Sequence, residues 1–186
     1  MVGRSSELIT ELRKIDHDKI DQIVLEILAA KRVYICGNGG SALNAQHFES
    51  DLQSLKIDAT CLDNNAARIT AITNDFGWEN LYTIQLFNVK PGDLLIIFTV
   101  HGSTGKMYGD KWSQNLAKAT ILAKNSGAKV VVISGNLGGS IAELADYALI
   151  CLSGDVDVVE PFHSALCHDI CARIKDAGAK LDNSNN

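Results

Sequence analysis

The chain has 186 residues, 46 % hydrophobic and 21 % charged, with a net charge of −5. That suits one domain burying roughly 70 % of its unfolded surface, with no need of a disulfide or metal staple. The acidic balance and scattered Lys and Arg argue against nucleic acid or an anionic membrane as partner, and no apolar run reaches the ~20 residues of a membrane span.

Helical spacing of apolar residues opens the chain, with Leu8, Ile9 and Leu12 in 5–14, then Ile20, Ile23, Val24, Ile27 and Leu28 in 18–30. The first residues lack the apolar core of a signal peptide, so the expected compartment is the cytoplasm. The five cysteines fit it: Cys36, Cys61, Cys151, Cys167 and Cys171 form no CxxC pair, sit mostly in apolar runs and are expected as reduced thiols. A β-rich run at 32–36 leads into Gly37-Asn38-Gly39-Gly40-Ser41 and a helix over 41–54, with Ser41 a candidate N-cap. A short strand at 59–62 and a helix at 66–73 follow. The turn Lys90-Pro91-Gly92-Asp93 precedes an apolar strand at 94–100, then a helix at about 113–126 and a strand at 129–134. Gly135 and Gly138-Gly139 lead to a short helix at 140–145, a strand at 147–152 and a long helix at 160–177.

The strands are uniformly apolar, which marks a parallel sheet covered on both faces. Strand–helix alternation gives an α/β, doubly wound, mainly parallel five-stranded sheet in a single domain over 1–180. Its N-terminal helical segment covers about 1–30 and its core about 31–177, with 181–186 a disordered tail. Ligands of such sheets bind at the carboxyl ends of the strands. Three loops rich in Gly or hydroxyl groups follow strands here and should meet at that edge.

His47 and Asp51 are four apart and share a helical face, which is ligand spacing for a zinc-type ion. The same spacing also describes a plain polar face, and Glu49 points the other way into solvent. On the last helix, His163 and His168 are five apart, ~140° around the axis, so one is a site residue and the other structural. A phosphate needs N–H and hydroxyl donors, for which Thr99, His101, Ser103, Thr104 and Ser113 are the candidates.

The motifs CGNGGSALNAQHF (36–48), ITAITNDFGWE (69–79), FTVHGS (98–103) and FHSALCHDIC (162–171) resemble the sugar isomerase (SIS) family, and within it the phosphoheptose isomerases. The resemblance runs from about residue 20 to about 175. It implies a flavodoxin-like fold and a zinc-dependent aldose–ketose isomerase with one ion per subunit. It further implies a homotetramer, with sites between subunits. By motif position it implies His47, Asp51, Glu160 and His168 as metal ligands. Asp51 then moves the proton, with His168 as its acid partner. It places Asn38, Gly39, Gly40 and Ser41 at the sugar, helped by Asn74, Asp75 and Glu160, and leaves Thr99, His101, Ser103 and Ser113 as candidates for the phosphate.

The chain departs from the family pattern in the loop Thr99-Val-His-Gly-Ser-Thr104, which is chemically altered and lengthened by residues 105–112. Lys106 is a phosphate candidate there, and Tyr108 and Trp112 are candidates for a subunit contact. Asp51 replaces the family's Glu, a reach shorter by one methylene, ~1.5 Å. Glu160 stands near the family's Gln, the basic Gly-Arg stretch is missing, and the N-terminal helical region is short. Two readings follow. One is an active isomerase, for sedoheptulose 7-phosphate or another sugar phosphate. The other is a non-catalytic relative that binds a phosphosugar or a protein partner.

Overall fold

The computed structural model describes residues 3–103, 113–135 and 138–184, with side chains to residue 178. Two helices open it, α1 (Arg4–Leu12) and α2 (His17–Ala29), the second capped by Asp16, whose side chain accepts from the Lys19 N–H. There follow β1 (Val33–Gly37), α3 (Gly40–Ser54), β2 (Ala59–Cys61) and α4 (Ala66–Phe76). A 3₁₀ turn at Trp78–Asn80 runs into α5 (Leu81–Gln85). Next come β3 (Leu94–Thr99), α6 (Gln114–Asn125), β4 (Lys129–Ser134), α7 (Gly139–Leu144), β5 (Tyr147–Ile150) and α8 (Val156–Ser184).

The five strands pair in parallel in the order β2-β1-β3-β4-β5. This is the flavodoxin-like doubly wound order, whose switch point falls between β1 and β3. Alternate residues along each strand feed two separate cores. Ile35, Ile96, Phe98, Val131 and Ile133 pack under α2, α3 and α8 through Ile23, Phe48, Leu52, Phe162 and Ile170. Cys36, Leu95, Ile97, Val130 and Val132 pack under α4 to α7 through Ile72, Leu81, Leu116 and Ile141. Both faces are covered, so the strands show no polar alternation. All five cysteines are buried free thiols.

Several boundaries move from the sequence reading. Ser41 is not the N-cap of α3; Gly39 is, at φ 61 and ψ −127, a conformation that suits Gly alone. The last helix begins at Val156 rather than 160, because the Asp155 side chain accepts from the Asp157 N–H and its carbonyl from Val158 and Val159. Pro161 therefore lies inside the helix, near its start. The same helix runs on to Ser184, into the segment read as a disordered tail. The 3₁₀ turn and α5 were missing from the sequence reading because neither is long enough to show a helical period. No helix among the described residues is long and apolar enough to cross a membrane.

Candidate active site

The glycine run after β1 is shaped by close approaches. A Cβ on Gly37 would meet the Ser41 backbone at 2.7 Å, and one on Gly40 would fall 2.1 Å from the Glu160 carboxylate. Gly37 thus lets the first turn of α3 fold back on the strand end, while Gly40 lets the start of α8 lie against α3. Asn44 Nδ2 holds that junction by donating to the Glu160 carbonyl at 3.2 Å.

Asn38 is fixed from below. Its Nδ2 donates to Asn115 Oδ1 at 3.0 Å, its Oδ1 accepts from Asn115 Nδ2 at 2.8 Å, and Ser113 Oγ lies 3.3 Å from Nδ2. Ser113 holds left-handed backbone, φ 53, at the start of α6. Tyr82 reaches the same place from α5, with its hydroxyl 3.1 Å from Asn38 Oδ1 and 2.8 Å from Asp63 Oδ1. Asp63 Oδ2 accepts the Gly37 N–H at 3.0 Å. Burial pushes the Asp63 carboxyl up to about 6, against bonds from Tyr82, Gly37 and Cys61 that lower it.

Above this network lies a cleft of about 470 Å³. Asn38, Gly39, Gly40 and Ser41 form one wall, Thr99, Val100, His101 and Ser113 another, and Glu160, Val156 and Trp78 complete it. The loop after β3 is braced from the loop after β4. Ile141 N donates to the Gly102 carbonyl at 3.3 Å and Ser140 Oγ to the Ser103 carbonyl at 3.0 Å. A Cβ on Gly102 would meet the Gly138 carbonyl oxygen at 1.9 Å. A second cavity, about 300 Å³, opens beside edge strand β2 between Arg32, Tyr34 and Arg68, and shares no lining residue with the cleft.

Farther along α3, His47 Nε2 and His168 Nδ1 lie 3.6 and 3.7 Å from the same Asp51 Oδ2. The two imidazoles meet edge to face with centroids 5.1 Å apart. Two imidazoles and a carboxylate are donor types that a zinc-type ion takes. As they stand, however, no three His, Cys, Asp or Glu side chains among the described residues form a set ready to hold an ion. Closing this trio on one ion takes side-chain rotation.

Of the residues read from sequence, the cleft gathers Asn38, Gly39, Gly40, Ser41, Thr99, His101, Ser113 and Glu160. His47, Asp51 and His168 come together, but outside its lining. Glu160 stands apart from that trio, against Gly40 and roughly 12 Å of helix rise from His168. Asn74 and Asp75 are exposed and bonded to each other at 2.8 Å, and Ser103 faces α7. Thr104, Lys106, Tyr108 and Trp112 lie outside the described residues. His163 is fully buried against Phe98, centroids 5.6 Å apart, in the packing role left for one of the two histidines. Glu49 is not merely solvated, since its Oε1 accepts the Cys61 N–H at 2.7 Å. Sequence reasoning missed Asp63, Tyr82 and Asn115, which carry no motif and matter only through the partners the fold gives them.

Fold and cleft together describe an α/β domain that takes its ligand at the switch point of a parallel sheet. The chain belongs to the SIS domain family, whose model matches residues 3–135, and it stands among that family's isomerases. It is 30 % identical over 162 residues to a phosphoheptose isomerase of Rhodospirillum rubrum, spanning 83 % of this chain and 81 % of the relative. The solved phosphoheptose isomerase of Neisseria gonorrhoeae superposes with a TM-score of 0.81 at 26 % identity, covering 91 % of each chain. That of Francisella tularensis superposes at 0.82 with 24 % identity over 93 % of this chain and 92 % of its own, which bears on the fold alone.

Proposed function

We propose that the chain is a phosphosugar aldose–ketose isomerase that converts sedoheptulose 7-phosphate to a D-glycero-D-manno-heptose 7-phosphate. One observation carries this reading beyond the family. Two helices far apart in the chain, α3 and α8, bring Asp51 to 3.7 Å from His168, beside the elements that form the cleft. Isomerisation moves a proton between adjacent carbons through an enediol. In this reading Asp51 removes the proton and His168 handles the oxygens, each such transfer contributing about 10²–10⁴-fold. Asn38 to Ser41 and Glu160 face the polyol, and Thr99, His101, Ser103 and Ser113 face the phosphate. His47, Asp51 and His168 would hold the zinc-type ion. When bound, the ion supplies Lewis-acid polarisation of a substrate oxygen.

Large apolar side chains stay exposed on the elements around the cleft: Leu43, Phe76, Trp78 and Val156. They support a homo-oligomer, a tetramer in this reading, in which the exposed Asn74 and Asp75 serve a neighbouring copy's sugar. A second reading, a non-catalytic phosphosugar-binding or protein-partner module, is favoured by the cleft lining, which holds neither Asp51 nor His168.

Proton NMR in D₂O separates the two, with sedoheptulose 7-phosphate and shorter ketose phosphates, zinc supplied. The isomerase reading expects aldose product and deuterium at the carbon next to the carbonyl, with kcat falling at least ~100-fold in Asp51→Asn. Binding by calorimetry with no exchange across the panel would establish the second reading. Zinc content by mass spectrometry, lost on His47→Ala with His168→Ala, tests the ion without reference to turnover.

A further inference from the structure

Beneath the glycine loop, hydrogen-bond counting fixes a proton. The Leu116 N–H donates to Asn115 Oδ1 at 2.9 Å, which identifies that atom as the oxygen of its amide. Asn115 Nδ2 then faces Asn38 Oδ1 at 2.8 Å, so Asn38 Oδ1 is an acceptor. The Gly37 carbonyl is another. The Tyr82 oxygen lies 2.5 Å from Gly37 O, 2.8 Å from Asp63 Oδ1 and 3.1 Å from Asn38 Oδ1. A phenol has one hydrogen to give. With Asp63 ionised, three acceptors would compete for it, and two would face the phenol oxygen with no hydrogen between. With a proton on Asp63 Oδ1, Asp63 donates to Tyr82 and Tyr82 donates to Gly37 O. Asp63 Oδ2 still accepts the Gly37 N–H. Only the longest contact, to an Asn38 oxygen already served by Asn115, then lacks a hydrogen.

We propose that Asp63 carries a proton in the binding-ready loop and, through Tyr82, positions the Gly37–Asn38 peptide and the Asn38 amide for the sugar. Asp63 touches no substrate; it is a positioning residue, and the inference rests on reading the cleft as the sugar site. The titratable groups facing it are Cys36 from β1, Cys61 from β2, Tyr82 from α5 and, through the Cys61 N–H, Glu49 from α3. None is a cation that would hold the carboxylate ionised. Burial, which lifts its carboxyl to about 6, acts in the same direction.

The test compares wild type, Asp63→Ala and Asp63→Asn between about pH 5 and pH 8, a range around the ordinary histidine value. Asparagine copies the protonated acid: its oxygen accepts from Gly37, its NH₂ donates to Tyr82, and it does not titrate. The expected result is a KM raised about tenfold in Asp63→Ala, by leaving buried partners unmet, and largely restored in Asp63→Asn. The ratio of wild-type to Asp63→Asn KM climbs about tenfold as pH rises, while the ratio of kcat stays flat. Because both proteins share the same substrate and histidines, the ratio isolates Asp63. Infrared difference spectra across the same range read the proton directly, as a carboxylic-acid carbonyl band in wild type that Asp63→Asn lacks. A flat KM ratio, an Asp63→Asn protein no better than Asp63→Ala, or no such band at the acid end would each overturn the proposal. A silent isomerase assay with the band intact would instead count against the proposed activity and leave the protonation standing.

Discussion

His163 is a buried imidazole, and among the described residues neither of its ring nitrogens has a partner. Burial drives its pKa down to about 3. The unfolded chain binds this proton from about pH 6.5 downward and the folded one does not, so stability is lost on acidification through that window, at about 1.4 kcal/mol per pH unit. Asp63 has the opposite sign, since its raised folded value contributes stability at acid pH that fades as pH rises through about 6. Over pH 7 to pH 5, His163 removes about 2 kcal/mol and Asp63 returns more than half of it. Urea unfolding should therefore show wild type weaker at pH 5 by less than about 1 kcal/mol, and His163→Leu should reverse the sign and be more stable at pH 5 than at pH 7. The glycines divide by what they touch. Gly37→Ala sets a Cβ against backbone at 2.7 Å and should cost about 2 kcal/mol or more in thermal or urea unfolding. Gly40→Ala meets only the carboxylate end of the Glu160 side chain, which can rotate away where backbone cannot. It should fold nearly as well and lose affinity for sugar phosphate, read by calorimetry.

Among the elements, strands and long helices were legible in sequence because each carries its period and its apolar face. β1, β3 and β4 shift by a residue or less from the expected bounds. What sequence hid was set by contacts between distant segments. The start of α8 depends on an Asp155 cap that lies ahead of position 160, the bound read from sequence. The docking of α1 depends on two acids that no sequence motif marks: Glu11 Oε2 accepts the Leu152 N–H at 2.8 Å, and Glu7 Oε1 accepts from Ser153 Oγ at 2.6 Å. Glu11 is buried at that junction. Glu11→Ala should leave the Leu152 N–H unmet and cost about 1–3 kcal/mol, with hydrogen exchange quickening first in α1 and in the turn after β5.

For the whole molecule, the candidate site was partly legible. The glycine motif and the His47–Asp51 spacing pointed to one sheet edge, and topology brought His168 to Asp51 from the far end of the chain. Sequence did not show that Glu160 would lie against Gly40, away from the trio, nor that a carboxyl–phenol pair would hold the loop from beneath. Exposed Leu43, Phe76, Trp78 and Val156 around the cleft make a quaternary prediction. Light scattering should give a mass several times the protomer's, and Trp78→Asp with Val156→Asp should lower it and weaken sugar phosphate binding together.

The backbone-to-backbone contact of Gly102 with Gly138 and Gly139 also bears on how this fold diversifies. It pins the chain just before residues 104–112, and the Ser113–Asn38 and Asn115–Asn38 bonds pin it again just after. The cleft walls on either side are thus held by contacts that residues 104–112 do not make. Exchanging that segment for a relative's should change which sugar phosphate binds, read by calorimetry, while leaving thermal unfolding nearly unchanged.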